Sequence, residues 1–451
     1  MKIIIVGCGR VGINLAEKLS QDGNEITVID VDGAKVRAIA EKCDVMGVVG
    51  NGATHSVQEE AGIEETDLFI AVTNSDELNL LCCIVAKRAG KCQTIARVKN
   101  PDYSTESAYI KDELGLAMVI NPEYAAAEEI ARVLRFPSAI KIEPFTKGMV
   151  ELMKFKLSKD SLIVGMSVKD VMIKYRTDLL VCTVERGDEV FIAGGDFVFE
   201  EKDVVSIVAT PKAAKEFLVK IRHAGHSISN AVIVGGSVIT QYLCGIMERT
   251  GMNLKIIEKD YKTCEELASQ WEKVDVIHGN PTNKDLLLEE GVGKAGAFVA
   301  LSNLDEENIL LSLFAKEEGC EKLITKINRT DYDAVVSRLD LDTTICPINI
   351  TSDLILRYVR ATKNSMGSNM ETLYNVIPGK VEASEFIIKE NSPIADTPLY
   401  QLKLKKDVLV ASIKRDKQVI IPRGNDVIKA GDAVVIVTKN IGLSDITEFL
   451  A

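Results

Sequence analysis

Apolar residues in the first 136 positions fall into two textures that take turns. Ile3–Val6, Ile26–Ile29, Val45–Val49, Leu68–Val72, Thr94–Val98 and Val119–Ile120 are short, nearly unbroken apolar runs, as strands covered on both faces should be. Between them, Val11, Leu15 and Leu19 recur at helical spacing across Val11–Ser20. Lys35–Ala40, Glu77–Ala89, Asp102–Glu113 and a segment from Pro122 to about Leu134 read as further helices. Regular strand–helix alternation predicts a parallel sheet with helices on both sides.

The texture changes after Phe136-Pro137. Residues 140–222 hold Met149–Leu157, Leu179–Val184, Glu189–Ala193 and Val204–Val208, short strands broken by turns such as Arg186-Gly187-Asp188 and Gly194-Gly195. The whole order then recurs. Gly7 matches Gly235 (235 − 7 = 228), while Phe69 and Phe298, Arg97 and Lys326, and Val181 and Val410 are each 229 apart. The Ile413–Val419 turn answers Val184–Val190, and Asp203 and Asp432 each precede a Val-rich strand. A nearly constant offset marks a whole-unit duplication. Four domains are predicted: 1–136, a first nucleotide-binding parallel-sheet domain; 140–222, a β-rich lobe; 229–361, a second parallel-sheet domain; and 370–451, a second β-rich lobe.

Composition narrows the function classes. A net charge of −12 argues against nonspecific nucleic-acid binding and against adhesion to anionic lipid. No stretch approaches 18 consecutive apolar residues, so no membrane insertion is expected, and the opening strand leaves no signal peptide. The ten cysteines lack metal-type pairing and read as buried thiols. His223 and His226 are three apart in a polar connector with no Cys or carboxylate partner nearby, so no metal site is predicted.

Candidate chemistry concentrates at the first strand–helix turn. Gly7-x-Gly9-x-x-Gly12 follows a strand and opens a helix, the context that gives this spacing meaning. Gly7 permits the tight turn, Gly9 lets backbone approach a pyrophosphate, and Gly12 lets the helix pack on the strand. The helix N-terminus offers free N–H groups to phosphate oxygens, and Arg10 on its first turn adds a cation. Asp30 closes the second strand, 18 residues after Gly12 (30 − 12 = 18), where an acid accepts hydrogen bonds from ribose hydroxyls. Its charge disfavours a 2′-phosphate, so NAD is expected over NADP. Further candidates end later strands: Gly50-Asn51-Gly52-Ala53-Thr54, Thr73-Asn74 and Arg97. Turn chemistry and helix capping, by Thr54 and Ser75 for instance, are the competing reading of these clusters.

The second copy keeps Gly235, Glu258 in place of Asp30, Asn280, Ser302-Asn303 and Lys326, but has Ser237, Val238 and Thr240 where the first has Gly9, Arg10 and Gly12. Ser237 is expected to fill the approach point and Thr240 to crowd the helix–strand contact. Nucleotide binding there, through Glu258, is expected to be weaker or absent.

These residues resemble the RCK domain, a regulator of potassium conductance with a Rossmann-like N-lobe and a small β-rich C-lobe. Two such units in one chain resemble the regulatory subunit of Trk-type potassium-uptake systems. The likeness rests on Gly7-Cys8-Gly9-Arg10-Val11-Gly12, Asp30, the Gly50–Thr54 loop, Ala71-Val72-Thr73-Asn74-Ser75-Asp76-Glu77-Leu78-Asn79 and Arg97. It implies two tandem Rossmann-like parallel-sheet domains, each followed by a small β-rich α+β domain. It implies a cytoplasmic subunit, peripheral on the inner face of the plasma membrane, that forms a homo-oligomeric gating ring under a membrane-embedded potassium-translocating partner. It implies NAD(H), with ATP and ADP as alternative ligands at the first site. Asn121-Pro122-Glu123 resembles the start of the family's crossover helix, where a Glu contributes to cation or subunit contacts; the second copy has Cys346-Pro347-Ile348.

The rival class is an NAD-dependent oxidoreductase. It would need an acid–base residue and a substrate pocket beside the nicotinamide. The small lobes supply only His223 and His226, so no enzyme and no catalytic residue are expected. Steady NADH turnover with hydroxy acids or ketones, lost in Gly9→Asp, would favour the oxidoreductase. A third class, a scaffold that binds nothing, would show no saturable binding of NADH, ATP or ADP in equilibrium dialysis.

Overall fold

The computed structural model describes residues 1–450 except 105, 137, 223–227, 330–335, 337, 340, 366–369, 378, 417, 441 and 444. The chain forms two units, one from Met1–Ala131 with Ser229–Leu356, the other from Arg132–Ile228 with Arg357–Ala451.

The first unit holds two parallel sheets. In the first repeat the order is β1 (Lys2–Val6), α1 (Arg10–Gln21), β2 (Glu25–Asp30), α2 (Gly33–Lys42), β3 (Met46–Val49), α3 (His55–Glu60), β4 (Leu68–Ala71), α4 (Asp76–Ala89), β5 (Gln93–Arg97), α5 (Pro101–Ser104), α6 (Ser107–Glu113), β6 (Met118–Ile120) and α7 (Pro122–Arg135). The strands lie in the order β3-β2-β1-β4-β5-β6. This is the Rossmann-like order, with its reversal between β1 and β4. Ile3, Ile4, Ile5 and Val6 are buried because β1 is flanked on both edges, Ile3 pairing with Ile26 and Leu68. The predicted helix over 102–113 is two short helices: the Glu106 N–H bonds the Tyr103 carbonyl at 3.2 Å, and Glu106 begins the second one.

The β-rich lobe that follows has β7 (Ala139–Phe145), β8 (Val150–Lys156), α8 (Val168–Tyr175), β9 (Leu179–Arg186), β10 (Glu189–Ile192), β11 (Val204–Ala209) and α9 (Pro211–Lys220). Its strands form an antiparallel sheet in the order β10-β9-β11-β8-β7. Its helices start where capping chemistry places them: the Ser167 hydroxyl accepts from the Asp170 N–H, and Thr210 accepts from Ala213 just before Pro211.

The second repeat runs β12 (Asn230–Val234), α10 (Val238–Met247), β13 (Asn253–Glu258), α11 (Tyr261–Gln270), β14 (Val274–His278), α12 (Lys284–Glu289), β15 (Ala297–Ala300), α13 (Asp305–Glu317), β16 (Lys322–Lys326), β17 (Thr343–Ile345) and α14 (Pro347–Ser365). Its parallel sheet is ordered β14-β13-β12-β15-β16-β17, position for position like the first. The last lobe has β18 (Met370–Ile377), β19 (Val381–Ile387), β20 (Val408–Arg415), β21 (Gln418–Ile420) and β22 (Ala433–Thr438), in the order β18-β19-β22-β20-β21.

Within the second unit, the two lobes share one core. Phe145, Leu152 and Val208 of one lobe pack with Tyr374, Val381 and Val435 of the other. The matched aspartates before β11 and β22 have matched partners. Asp203 accepts Arg186 Nε and Nη2, both at 2.8 Å, and Asp432 accepts Arg415 Nε at 2.9 Å and Nη2 at 2.7 Å. Both carboxylates are buried, and the planar guanidinium meets each in a fork that fixes the preceding turn.

Candidate nucleotide site

The C-terminal ends of β1 to β5 share one edge of the first sheet, since Val6 is level with Ile29 and Ala71, and Ala71 with Ala96. The loops leaving those ends carry the sequence-selected residues. Gly7 has φ +104°, and a side chain there would meet Thr73 N and Val72 C at 3.0 Å, so the loops after β1 and β4 touch at this glycine. Gly12 is packed harder: a Cβ would lie 1.8 Å from the Gly7 carbonyl oxygen. Gly9, by contrast, is exposed and has nothing within 4 Å of where its Cβ would be.

Gly9 is also the N-cap of α1, with no side-chain capping bond and no acid in the first turn. The orphan N–H groups and the positive end of the helix dipole are therefore left for another acceptor. Exposed Arg10 stands on that turn, while Cys8 and Val11 are buried. Burial, with help from the Asp30 charge, pushes the Cys8 thiol up to about 12, so it stays protonated and apolar near neutral pH.

Asp30 does more than the sequence reading assigned. Its Oδ2 accepts the Cys8 N–H at 2.6 Å and its Oδ1 accepts the Asp32 N–H at 2.9 Å. The carboxylate thus staples the glycine turn to the end of β2, while each oxygen keeps further acceptor capacity. Val31, next to it, is 73% exposed, an unsatisfied apolar surface at the site that sequence patterning passed over. The only sequence signal for it was an apolar residue directly after the strand-closing acid.

The β3–α3 loop is largely engaged with itself. Asn51 Oδ1 accepts the Ala53 N–H at 3.0 Å, and the Thr54 hydroxyl donates to the Asn51 carbonyl at 2.8 Å rather than capping the helix. Thr54 is therefore a turn residue, not a side-chain cap, because its hydroxyl already has the Asn51 oxygen; Ser75 does cap α4, accepting the Leu78 N–H at 3.2 Å. Gly52 lies against β1, where a Cβ would meet Val6 Cγ1 at 2.4 Å.

Two buried polar residues, quoted within the sequence motif but given no role there, organise the rest. Asn79 accepts the Thr73 N–H at 2.8 Å and donates to the Arg97 carbonyl at 2.9 Å, joining the ends of β4 and β5. Asp76 accepts the N–H groups of Lys99 at 3.0 Å and Asn100 at 2.8 Å. Asn308 and Asp305 repeat both arrangements in the second copy. The 229-residue offset (308 − 79 = 229) was the signal that could have found them. Thr73 is bound into this network, and Asn74 is exposed on its rim. Arg97 pairs with Glu123 at 3.1 Å, both largely buried, with Arg97 Nε and Glu123 Oε2 lacking partners.

The second copy reproduces the frame. Glu258 accepts the Gly236 N–H at 2.6 Å and the Asp260 N–H at 2.8 Å, the same staple as Asp30. The expected crowding by Thr240 is absent. Its hydroxyl donates to the Gly235 carbonyl at 2.6 Å and lies 3.3 Å from the Ser237 hydroxyl, so the helix stands far enough from that carbonyl to admit a side chain. Lys326 is buried, and its ammonium donates to the Leu301 carbonyl at 3.2 Å. Desolvation lowers its pKa, against the nearby Asp305 and Glu123 charges. Its cation is thereby committed to the protein's own loop. His223 and His226 lie outside the described residues.

Comparison with known proteins agrees with this architecture. The TrkA-N domain family matches residues 3–122 and 231–347, and the TrkA-C domain family matches 152–221 and 383–451. The Trk system potassium uptake protein TrkA homolog 1 of Methanosarcina mazei is 32% identical over 461 aligned residues, covering 100% of both chains. The Trk system potassium uptake protein TrkA of Halomonas elongata is 31% identical, covering 97% of this chain and 95% of that one. The crystal structure of the GsuK RCK domain aligns with a TM-score of 0.64 at 14% identity, covering 97% of this chain and 92% of that one. The GsuK channel bound to NAD aligns with a TM-score of 0.65 at 14% identity, covering 97% and 77%.

Proposed function

The chain belongs to the TrkA family of Trk-system potassium uptake proteins, and from that premise we propose that it is the nucleotide-sensing regulatory subunit of such a system. The first repeat is the sensor. Its ligand is NAD(H), with ATP or ADP competing for the same place. The observation that carries this reading is the pairing of an uncapped helix N-terminus with an open Gly9, beside a carboxylate of retained acceptor capacity. The N–H groups of α1 and the Arg10 cation receive the phosphates. Asp30 accepts the ribose hydroxyls and repels a 2′-phosphate. Gly52, Asn51 and the exposed Val31 face the base, and Thr73, Asn74 and Arg97 close the far side. Arg97 holds Glu123 through Nη2, so a phosphate drawn to its guanidinium competes with that pair, and ligands differing in phosphate number weigh differently on it.

The chain works as part of a homo-oligomeric ring beneath a membrane-embedded potassium-translocating subunit, at the inner face of the membrane. No helix among the described residues is long and apolar enough to cross a bilayer. Leu81 on α4 is 48% exposed and its counterpart Leu310 on α13 is 67% exposed (310 − 81 = 229), which supports like contacts between copies. A ligand shifts the ring only through its differential affinity for the two states, about 1–3 kcal/mol in ordinary cases.

Gly9→Asp tests the reading directly. A Cβ there would meet nothing within 4 Å, so the fold should survive while a carboxylate opposes the phosphates. NADH affinity measured by calorimetry should fall at least about tenfold, or roughly 1.4 kcal/mol, with loss of nucleotide control over potassium uptake. Unchanged control would overturn it. Asp30→Ala should also weaken NADH binding, but it removes the acceptor of two backbone N–H groups and must be read beside a melting curve.

A further inference from the structure

Within the first unit, a half-open cleft of about 820 Å³ lies between the two repeats and away from the glycine turn. Its walls include Asn121, Tyr124 and Glu128 from the start of α7, Gln241 and Tyr242 from α10, and Trp271 at the end of α11. Glu128 is the sole charged side chain among the described residues lining it. A phosphate-bearing ligand would meet one carboxylate and no cation there, so this is a poor second nucleotide site.

The walls suit the opposite charge. The Tyr124 and Tyr242 rings meet at 86° with centroids 5.4 Å apart, forming an aromatic corner. The corner is fixed, because the Tyr242 hydroxyl accepts from Asn121 Nδ2 at 2.8 Å and donates to the Lys99 carbonyl at 3.1 Å. Glu128 lies one turn along α7 from Tyr124 and so shares its face. No hydrogen bond or ion pair within the described residues engages it. Trp271 packs onto α10 at Gly245, where a Cβ would approach its Cη2 at 3.2 Å. Aromatic faces beside an unpaired carboxylate are the chemistry that recognises alkylated ammonium ions.

We propose that this cleft binds an alkylated ammonium ion, at a site separate from the nucleotide site, wedged where the two repeats meet. Such a ligand would set the fit of α7 against α10 and thereby bias the pair of repeats. The inference goes beyond the nucleotide-sensor reading and does not depend on it.

Trp271 is the chain's single tryptophan, so its fluorescence reports the cleft without a label. The full chain is titrated with choline, with 3,3-dimethyl-1-butanol as the uncharged isostere and sodium chloride at matched ionic strength. The expected result is a saturable change in Trp271 emission with choline, at least tenfold weaker for the alcohol and absent with salt. Glu128→Gln should weaken choline at least tenfold while NADH binds as before. No saturable response to choline beyond the salt control would overturn the proposal. So would equal binding of the alcohol, or an unchanged affinity in Glu128→Gln.

Discussion

Gly9 and Gly12 stand three residues apart and answer to different constraints. Gly12 is a packing glycine, since a Cβ would sit 1.8 Å from the Gly7 carbonyl oxygen, whereas Gly9 has free space around it. Gly12→Ala should therefore lower unfolding free energy by about 1–3 kcal/mol, the usual range for overpacking. Gly9→Ala should change stability by less than about 0.5 kcal/mol and weaken nucleotide binding instead. Denaturant melts of both variants, each with an NADH titration, separate the two roles; equal destabilisation would contradict them. Gly7 and Gly12 were legible in sequence because steric demands fix residue type there. Asn79 and Asp76 were not, because a buried polar clamp has no periodicity. Thr240 was misread for a related reason: residue size suggested a clash, while its hydroxyl found the Gly235 carbonyl.

At the scale of elements, the central strands β1 and β4 were legible because each is a continuous apolar run buried on two faces, and the second sheet was legible through the repeat offset. The strand β7 was not, since its buried positions, Ala139, Ile142 and Phe145, are three apart and its pairing with β8 slips between Ala139 and Lys141. The short helix α3 offers too few residues to show a period. Equivalent strands also carry different burdens. Lys322 opens β16 in a buried position, where its repeat counterpart on β5 is the exposed Gln93 (322 − 93 = 229). Burial lowers the Lys322 pKa to about 8, against the pull of Asp342, from an ordinary 10.5. Between those two values the unfolded chain binds the extra proton, so this group makes stability rise with pH from about 8 to 10.5. Buried thiols such as Cys82 and Cys244, pushed up to about 12, act oppositely above their ordinary value of 9.0, so the test is a difference. The stability of wild type minus Lys322→Gln, from urea melts, should climb across pH 8–10.5. A flat difference would contradict the burial argument.

At the scale of the whole molecule, duplication kept the frame and changed the site. The sheet order, the Asn79 and Asn308 clamps, the Asp30 and Glu258 staples and the lobe Arg–Asp forks recur in both halves. What differs is local: an open glycine and an exposed arginine in one copy, a serine and a valine in their places in the other. That asymmetry was readable from aligned residues, whereas the cleft where the repeats meet was not, because its walls come from segments more than 100 residues apart, Asn121 and Tyr242 being separated by 121. Recurrence of the staple also means that the acid at the end of the second strand holds the glycine turn in both copies. The most direct test is the number of NADH molecules bound per chain, measured by calorimetry on wild type, Gly9→Asp and Glu258→Gln. The account predicts one high-affinity NADH per chain, lost in Gly9→Asp and kept in Glu258→Gln. Two equivalent NADH per chain, or one that Gly9→Asp leaves in place, would contradict it.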